Sequence, residues 1–337
     1  MSTPDNGQLT DRKILIFDVY GTLMDWESGI YDALQPLFSE FEVAKKWSRK
    51  EALQAFGAVE TDLQTQFPEM PYSELLAKVH EVLEQRLKAL SSQDTQAATL
   101  DAGHQVAGEA PSGSSATGAS TSADAGTSAS SSESNPHTAF GNSVKNWPIF
   151  PDTTDALKRL SKHFKLVVLS NVDRGSFQFT HAVLSTGSLP STKEVLEPYL
   201  YPTNNPNKFW HPQATSPNSA SPFTVLATAQ DTGCYKPSLG GFQALLDYAK
   251  SHPDLLGGSL GEGEDIKEKV LIVAQSLPHD HVPANRLGIK SVWIDRQSAV
   301  TCNELPGAGG QAKKIWTWRF ETLGEMADKV EEELRQS

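Results

Sequence analysis

Short unbroken apolar runs alternate along this chain with longer stretches in which apolar residues recur every three or four positions. The runs at 14–17, 165–169, 223–227, 270–274 and 291–295 are rich in Val, Ile and Leu and show no polar alternation. That is the pattern of strands covered on both faces. A sixth strand is expected around 315–318. Between the first and second runs lie three helical stripes with no strand among them. Ile30, Leu34, Leu37, Phe38 and Phe41 mark the first, and Leu53, Phe56, Val59, Leu63 and Phe67 the second. Leu75, Leu76, Val79, Val82, Leu83, Leu87 and Leu90 mark the third, over 73–90. The second opens on Ser48 and Glu51 at capping-box spacing, with Trp47 and Ala52 flanking them as a hydrophobic staple. Later stripes predict helices around Leu157, Leu245 and Met326. Strand and helix therefore alternate as in a parallel sheet covered by helices, with a small helical unit inserted after the first strand.

Two stretches break the pattern. Residues 91–140 are dominated by Ser, Ala, Gly and Thr and lack the large apolar side chains that offset the entropy of ordering, so a disordered insertion is expected there. Residues 184–222 are rich in Pro, Asn and Ser and read as a second, irregular insertion. The Gly-rich segment at 257–265 lacks the strand and helix that a dinucleotide fingerprint requires.

Composition narrows the function. A net charge of −12 without any Lys/Arg run disfavours a nucleic-acid groove. No segment approaches the roughly 20 apolar residues that cross a bilayer, and the polar N-terminus has no signal core, so a cytoplasmic protein is expected. Cys234 and Cys302 are too few for a disulfide framework and lack metal-ligand spacing.

The chemistry-bearing residues cluster just after the strand runs. Asp18 follows the first run and precedes Gly21 and Thr22, Ser170-Asn171 close the second, Tyr235-Lys236-Pro237 come after the third, and a loop from Gln275 to Asp280 follows the fourth. Open α/β sheets bind ligands at the carboxyl ends of their strands. Taken alone, Asp18 is as well explained by a turn cap as by a nucleophile. The ordered set DVYGTL, LSN, YKP and the Asp-bearing loop resembles the haloacid dehalogenase superfamily over 15–24, 147–180 and 223–296. Tyr20, the Ser170-Asn171 pair and the Tyr235-Lys236-Pro237 triplet bring it nearest to the type II 2-haloacid dehalogenase branch.

That resemblance implies a Rossmann-like core over 1–24 and 147–337 with a helical cap over 25–90, and metal-independent hydrolysis without a cofactor. Asp18 would displace halide from the 2-carbon of a haloacid and form an ester. Lys236 would keep Asp18 ionised and oriented, and Asp280 would activate the water that hydrolyses the ester. Thr22 would hydrogen-bond Asp18. Ser170 would bind the substrate carboxylate and Asn171 the departing halide, with Tyr20 beside them. The implied partner is a small anionic substrate, with neither nucleic acid nor membrane involved, and a homodimer is compatible with the chain.

Three departures bear on the substrate. The branch places an Arg directly after a Trp on the cap, whereas Arg49 follows Trp47 by two positions. Ala274, Gln275 and Ser276 stand where the branch has Ser and Asn, and the loop is one residue longer before Asp280. Phe242 replaces an aromatic hydroxyl. Two other readings share the scaffold: a Mg-dependent phosphatase, disfavoured because Tyr20 and Gln275 occupy its acidic positions, and a binding protein without turnover. His279 and His281 flank Asp280 but lack a third ligand, so supporting roles are expected of them, and Trp316 and Trp318 are expected to pack. The decisive expectation is a Lys236 amine beside an Asp18 that faces open space.

Overall fold

The structure is a computed structural model describing residues 7–102, 135–216, 218–305 and 314–336, with backbone only for 93–102. Six strands, β1 (Ile14–Phe17), β2 (Lys165–Ser170), β3 (Phe223–Thr228), β4 (Val270–Ala274), β5 (Ser291–Ile294) and β6 (Trp318–Phe320), form one parallel sheet in the order β3-β2-β1-β4-β5-β6. The architecture is an α/β, Rossmann-like layered fold. The side chains of β1 divide between the two faces. Leu15 and Phe17 join one buried cluster, and Ile14 and Ile16 the other. Leu166/Val168 and Leu271/Val273 follow the first pair, while Val167/Leu169 and Ile272/Ala274 follow the second. Burial on both faces explains why these runs carry no polar alternation.

In β1, Phe17 is in register with Val168 of β2 and Val273 of β4. The chain order reverses across β1, which opens a crevice beyond the carboxyl ends of these strands. β6 begins at Trp318, the last residue of the expected segment, and Trp316 packs on Trp293 with ring centroids 4.6 Å apart.

Helices α1 (Trp26–Phe38), α2 (Arg49–Gln66), α3 (Tyr72–Ala102) and α4 (Pro136–Gly141) lie between β1 and β2. The capping box is formed: Ser48 Oγ accepts from Glu51 N at 3.3 Å, and Glu51 Oε2 accepts from Ser48 N at 2.8 Å. Helix α3 runs on to Ala102, beyond the end of its apolar stripe at Leu90, so it enters the stretch expected to be disordered from residue 91. The centre of that stretch, 103–134, lies outside the described residues.

Two further helices, α5 (Thr153–Leu160) and α6 (Arg174–Thr186), flank β2. The 184–222 segment is more ordered than its composition suggests. It contains helical turns at Lys193–Leu196 and Pro212–Thr215, and Trp210 exchanges backbone hydrogen bonds of 3.2 and 2.8 Å with Leu226. Phe209 and Trp210 are fully buried, and this pairing covers the outer edge of β3.

Candidate active site

β1 delivers Asp18 to the crevice and fastens it there. Asp18 N donates to Val273 O on β4 at 3.1 Å, and the chain then turns back so that Thr22, Leu23 and Met24 all donate to Val19 O. Gly21 has φ +100°, and a Cβ on it would stand 3.0 Å from Gln275 Oε1 and 3.2 Å from Trp26 Nε1. Both the backbone angle and the crowding require glycine. Thr22 Oγ1 donates to Asp18 Oδ2 at 2.6 Å and accepts from Gln275 N at 2.8 Å. One hydroxyl thus links the β1 and β4 loops and orients the carboxylate.

The other Asp18 oxygen meets the lysine. Lys236 Nζ lies 2.7 Å from Asp18 Oδ1 and 2.9 Å from Asp280 Oδ1. Burial opposes the charge on Lys236, but the fields of Asp18 and Asp280 outweigh it, so its pKa is raised and the amine stays protonated. Asn171 holds the lysine backbone as a two-pronged clamp, its Oδ1 accepting from Lys236 N at 2.6 Å and its Nδ2 donating to Lys236 O at 3.0 Å. The end of β2 therefore aims a residue 65 positions later in the chain.

Asp280 sits on a π-helical turn, Leu277–His281, behind β4. Burial pushes its carboxyl up to about 7 against the opposing pull of Lys236. Its Oδ2 is buried with no hydrogen-bond partner among the described residues. An acceptor left unsatisfied beside a paired carboxylate suits a group that takes a proton during a reaction.

Asp18, Lys236 and Asp280 form one wall of a cavity of about 310 Å³. Asp18 is only 7% exposed, so the cavity is its route to a substrate. The facing wall comes from α2 and α3 and includes Leu53, Gly57, Glu60 and Tyr72. Trp26, Trp147 and Tyr20 close the side, Trp147 standing edge-on to Tyr20 at 5.2 Å. Tyr20 OH pairs with Thr180 Oγ1 at 2.8 Å, and burial raises its pKa, which leaves it a neutral phenol.

The sequence-predicted residues do not all converge. Asp18, Tyr20, Asn171, Lys236 and Asp280 line the cavity, and Thr22 supports Asp18 from behind. Ser170 does not line it. It is 1% exposed and its Oγ lacks a hydrogen bond among the described residues. Arg49 stays at the start of α2, where Nη2 bonds Ser28 Oγ at 3.1 Å and lies 3.7 Å from both Asp25 and Glu27 carboxylates. His281 is a packing residue, whereas His279 reaches the cavity. Burial lowers His279 to about 4, so it is uncharged at neutral pH. Cys302 also lines the cavity.

Several contributors lacked a sequence signal. Arg296 donates to Thr22 O from Nε at 3.2 Å and Nη2 at 2.8 Å, while Nη1 pairs with Asp152 at 2.7 Å, so it braces the nucleophile turn. Glu27 accepts from Val300 N, Thr301 N and Thr301 Oγ1, tying α1 to a loop on the cavity rim. Glu60 accepts from Tyr72 OH at 2.6 Å inside the cavity, and burial pushes its carboxyl up to about 7.

No protein-family model matches the chain, and no curated protein matches it in sequence. Solved structures do. The L-2-haloacid dehalogenase PA0810 aligns over 95% of this chain and 99% of its own, with a TM-score of 0.51 and 16% identity. The fold is that of the haloacid dehalogenase-type hydrolases. The HAD-hydrolase YfnB from Bacillus subtilis, solved bound to magnesium, aligns over 95% of this chain and 99% of its own at TM-score 0.51 and 13% identity. An L-2-haloacid dehalogenase from Xanthobacter autotrophicus, solved with chloropropionic acid covalently bound, covers 95% of this chain and 98% of its own at TM-score 0.50 and 13% identity. These likenesses concern the fold, and the chemistry must be argued from the side chains.

Proposed function

We propose that this chain is a hydrolase that opens an activated carbon centre of a small acid or acid derivative, as in a 2-haloacid, through an ester on Asp18, with residues 25–90 acting as its cap. The observation that carries this reading is the single ammonium of Lys236 shared by two carboxylates on the wall of a cavity of about 310 Å³. Asp18 is paired with that ammonium and oriented by Thr22, and it lines the cavity. Its oxygen attacks carbon, and the halide leaves with the bonding electron pair. Water then adds to the carboxyl carbon of the ester as Asp280 takes its proton. The carbon–oxygen bond at that centre breaks, the released alkoxide picks up a proton, and Asp18 is restored. Lys236 stays charged throughout, so each carboxylate keeps a fixed counter-charge while its partner reacts.

Neither Tyr20 nor Gln275 supplies the carboxylates that a magnesium-dependent phosphatase uses. A protonated amine already lies between Asp18 and Asp280, and no group of three or more potential ligands occurs among the described residues. This donor set does not fit a divalent cation.

Intact-mass measurement after incubation with 2-chloropropionate and with a panel of its neutral derivatives tests the reading. The expected result is an adduct located on Asp18 with at least one of them. In Asp18→Asn the adduct and halide release are both lost while the thermal transition stays in place, and undiminished release by that variant would remove Asp18 from the mechanism.

A further inference from the structure

The charges that face the cavity are unbalanced in a way that bears on what enters it. Among the described residues three carboxyl groups, Asp18, Glu60 and Asp280, line it, against one cation, Lys236, which is already committed at 2.7 and 2.9 Å. No arginine lines it among the described residues. Arg49 is engaged by Ser28, Asp25 and Glu27, and Arg296 by Thr22 O and Asp152. His279 adds no charge at neutral pH. Outside the described residues the sequence holds one lysine, Lys313, and no arginine. A substrate carboxylate would therefore enter a partly desolvated space beside three acidic groups without a free counter-charge, an arrangement that disfavours an anion.

The same wall offers something else. Glu60 projects from α2 four residues before Gln64 and three after Gly57, and all three line the cavity. Tyr72 OH occupies Glu60 Oε1 alone, leaving Oε2 to accept. A Cβ added to Gly57 would meet nothing within 4 Å, so the cavity is open beside the turn of α2 that precedes Glu60. Tyr20, Trp26 and Trp147 supply apolar surface to the same cavity.

We infer that the substrate is uncharged: a carboxamide or comparable neutral derivative carrying the activated carbon, with an N–H donor received by Glu60. This rests on the aspartyl-ester reading above and specifies its substrate. The first step balances for such a molecule as for any alkyl halide. The carbon–halogen electron pair leaves as halide while Asp18 becomes a neutral ester, so one negative charge is exchanged for another. A carboxyl group near the midpoint of its titration also suits an amide, since it accepts from N–H when ionised and donates to C=O when protonated.

The test compares 2-chloropropionamide with 2-chloropropionate, which share skeleton and leaving group, by chloride release and by intact mass of the full chain. The amide is expected to be turned over at least about tenfold faster in kcat/KM, and Glu60→Gln to lower that advantage by about tenfold, the worth of one hydrogen bond to a charged acceptor. A thermal transition of Glu60→Gln that coincides with the parent's serves as the folding control. Faster turnover of the acid, or adduct formation only with an amine-bearing analogue, would overturn the inference and leave the aspartyl ester standing. A preference for the amide that is unchanged in Glu60→Gln would overturn the assignment to Glu60. Absence of any Asp18 adduct with either compound would bring down the underlying reading itself.

Discussion

At the scale of single residues, the site separates two carboxylates by environment. Asp18 has both oxygens occupied, one by Thr22 and one by Lys236, and meets the cavity. Asp280 has one oxygen on Lys236 and one buried with no partner, and burial lifts it to about 7. A group acting as general base must be ionised, so its function falls as pH drops below its pKa. In the mechanism proposed here the ester-forming step does not use Asp280, and only the hydrolytic step does. Lowering the pH from 8 to 6 is therefore expected to slow turnover and to raise the fraction of enzyme present as the Asp18 ester, read by rapid acid quench and intact mass. Asp280→Asn should reproduce that accumulation at all pH values, slowing hydrolysis by roughly 10²- to 10⁴-fold. Turnover and ester level that are both flat between pH 6 and 8 would remove Asp280 from the hydrolytic step.

At the scale of elements, what could be read from the chain was what is local. The capping box of α2 was legible because Ser48 and Glu51 satisfy each other within one turn. Asp18 was legible because it follows its apolar run directly, Asn171 because one residue separates it from the second run, and Asp280 because it lies in the polar loop that opens after the fourth. Asp152 illustrates the opposite case. It precedes α5 but does not cap it with its side chain, and Oδ2 instead accepts from Leu323 N and Gly324 N at the start of the C-terminal helix. Arg296 likewise acts on partners far away in sequence, Thr22 and Asp152, and a single chain carries no spacing that announces them.

Packing between elements is equally silent in one dimension. Gly29 lies inside α1, where alanine would favour helix by up to about 1 kcal/mol. Its missing Cβ, however, would fall 2.3 Å from Trp147 Cδ1, and Trp147 is a wall of the cavity. The clash outweighs the propensity. Gly29→Ala is expected to lower stability by about 1–3 kcal/mol in chemical denaturation and to shift Trp147, with a matching change in near-ultraviolet circular dichroism. An alanine variant more stable than the parent would show that the two elements can part without cost.

At the scale of the whole molecule, parallel pairing follows from the alternation of strand and helix, but the strand order does not follow from any one run, because all five buried runs present the same apolar pattern. What distinguishes their ends is polar, and part of it is structural. His281 is an instance. It flanks Asp280 in the chain, yet it is fully buried between β4 and β5, where Nε2 donates to Ala274 O at 2.9 Å and Nδ1 accepts from Ser291 Oγ at 2.8 Å. With Nε2–H on the carbonyl, the neutral ring keeps Nδ1 as an acceptor for the Ser291 hydroxyl, and burial lowers its pKa to about 4. His181 is held in the same way by Ser221 and Tyr199 and is lowered to about 3. A histidine whose folded pKa is depressed below its ordinary 6.5 contributes stability that is complete above 6.5 and is lost as pH falls toward the folded value.

Asp280 and Glu60 act in the opposite sense. Their folded values are raised to about 7, so their contribution grows as pH falls from 7 toward the ordinary carboxylate range. The two sets offset each other, and the acid response of the parent protein alone does not separate them. Comparison with His281→Gln does. The variant loses the neutral-ring contacts at every pH but has no ring left to protonate in the unfolded chain. The stability gap between parent and variant is therefore expected to narrow by about 2 kcal/mol between pH 7.5 and pH 5, measured as urea midpoints at the two values. A gap that stays constant would mean that the ring ionises as easily inside the fold as outside it, against the burial that strips it of water.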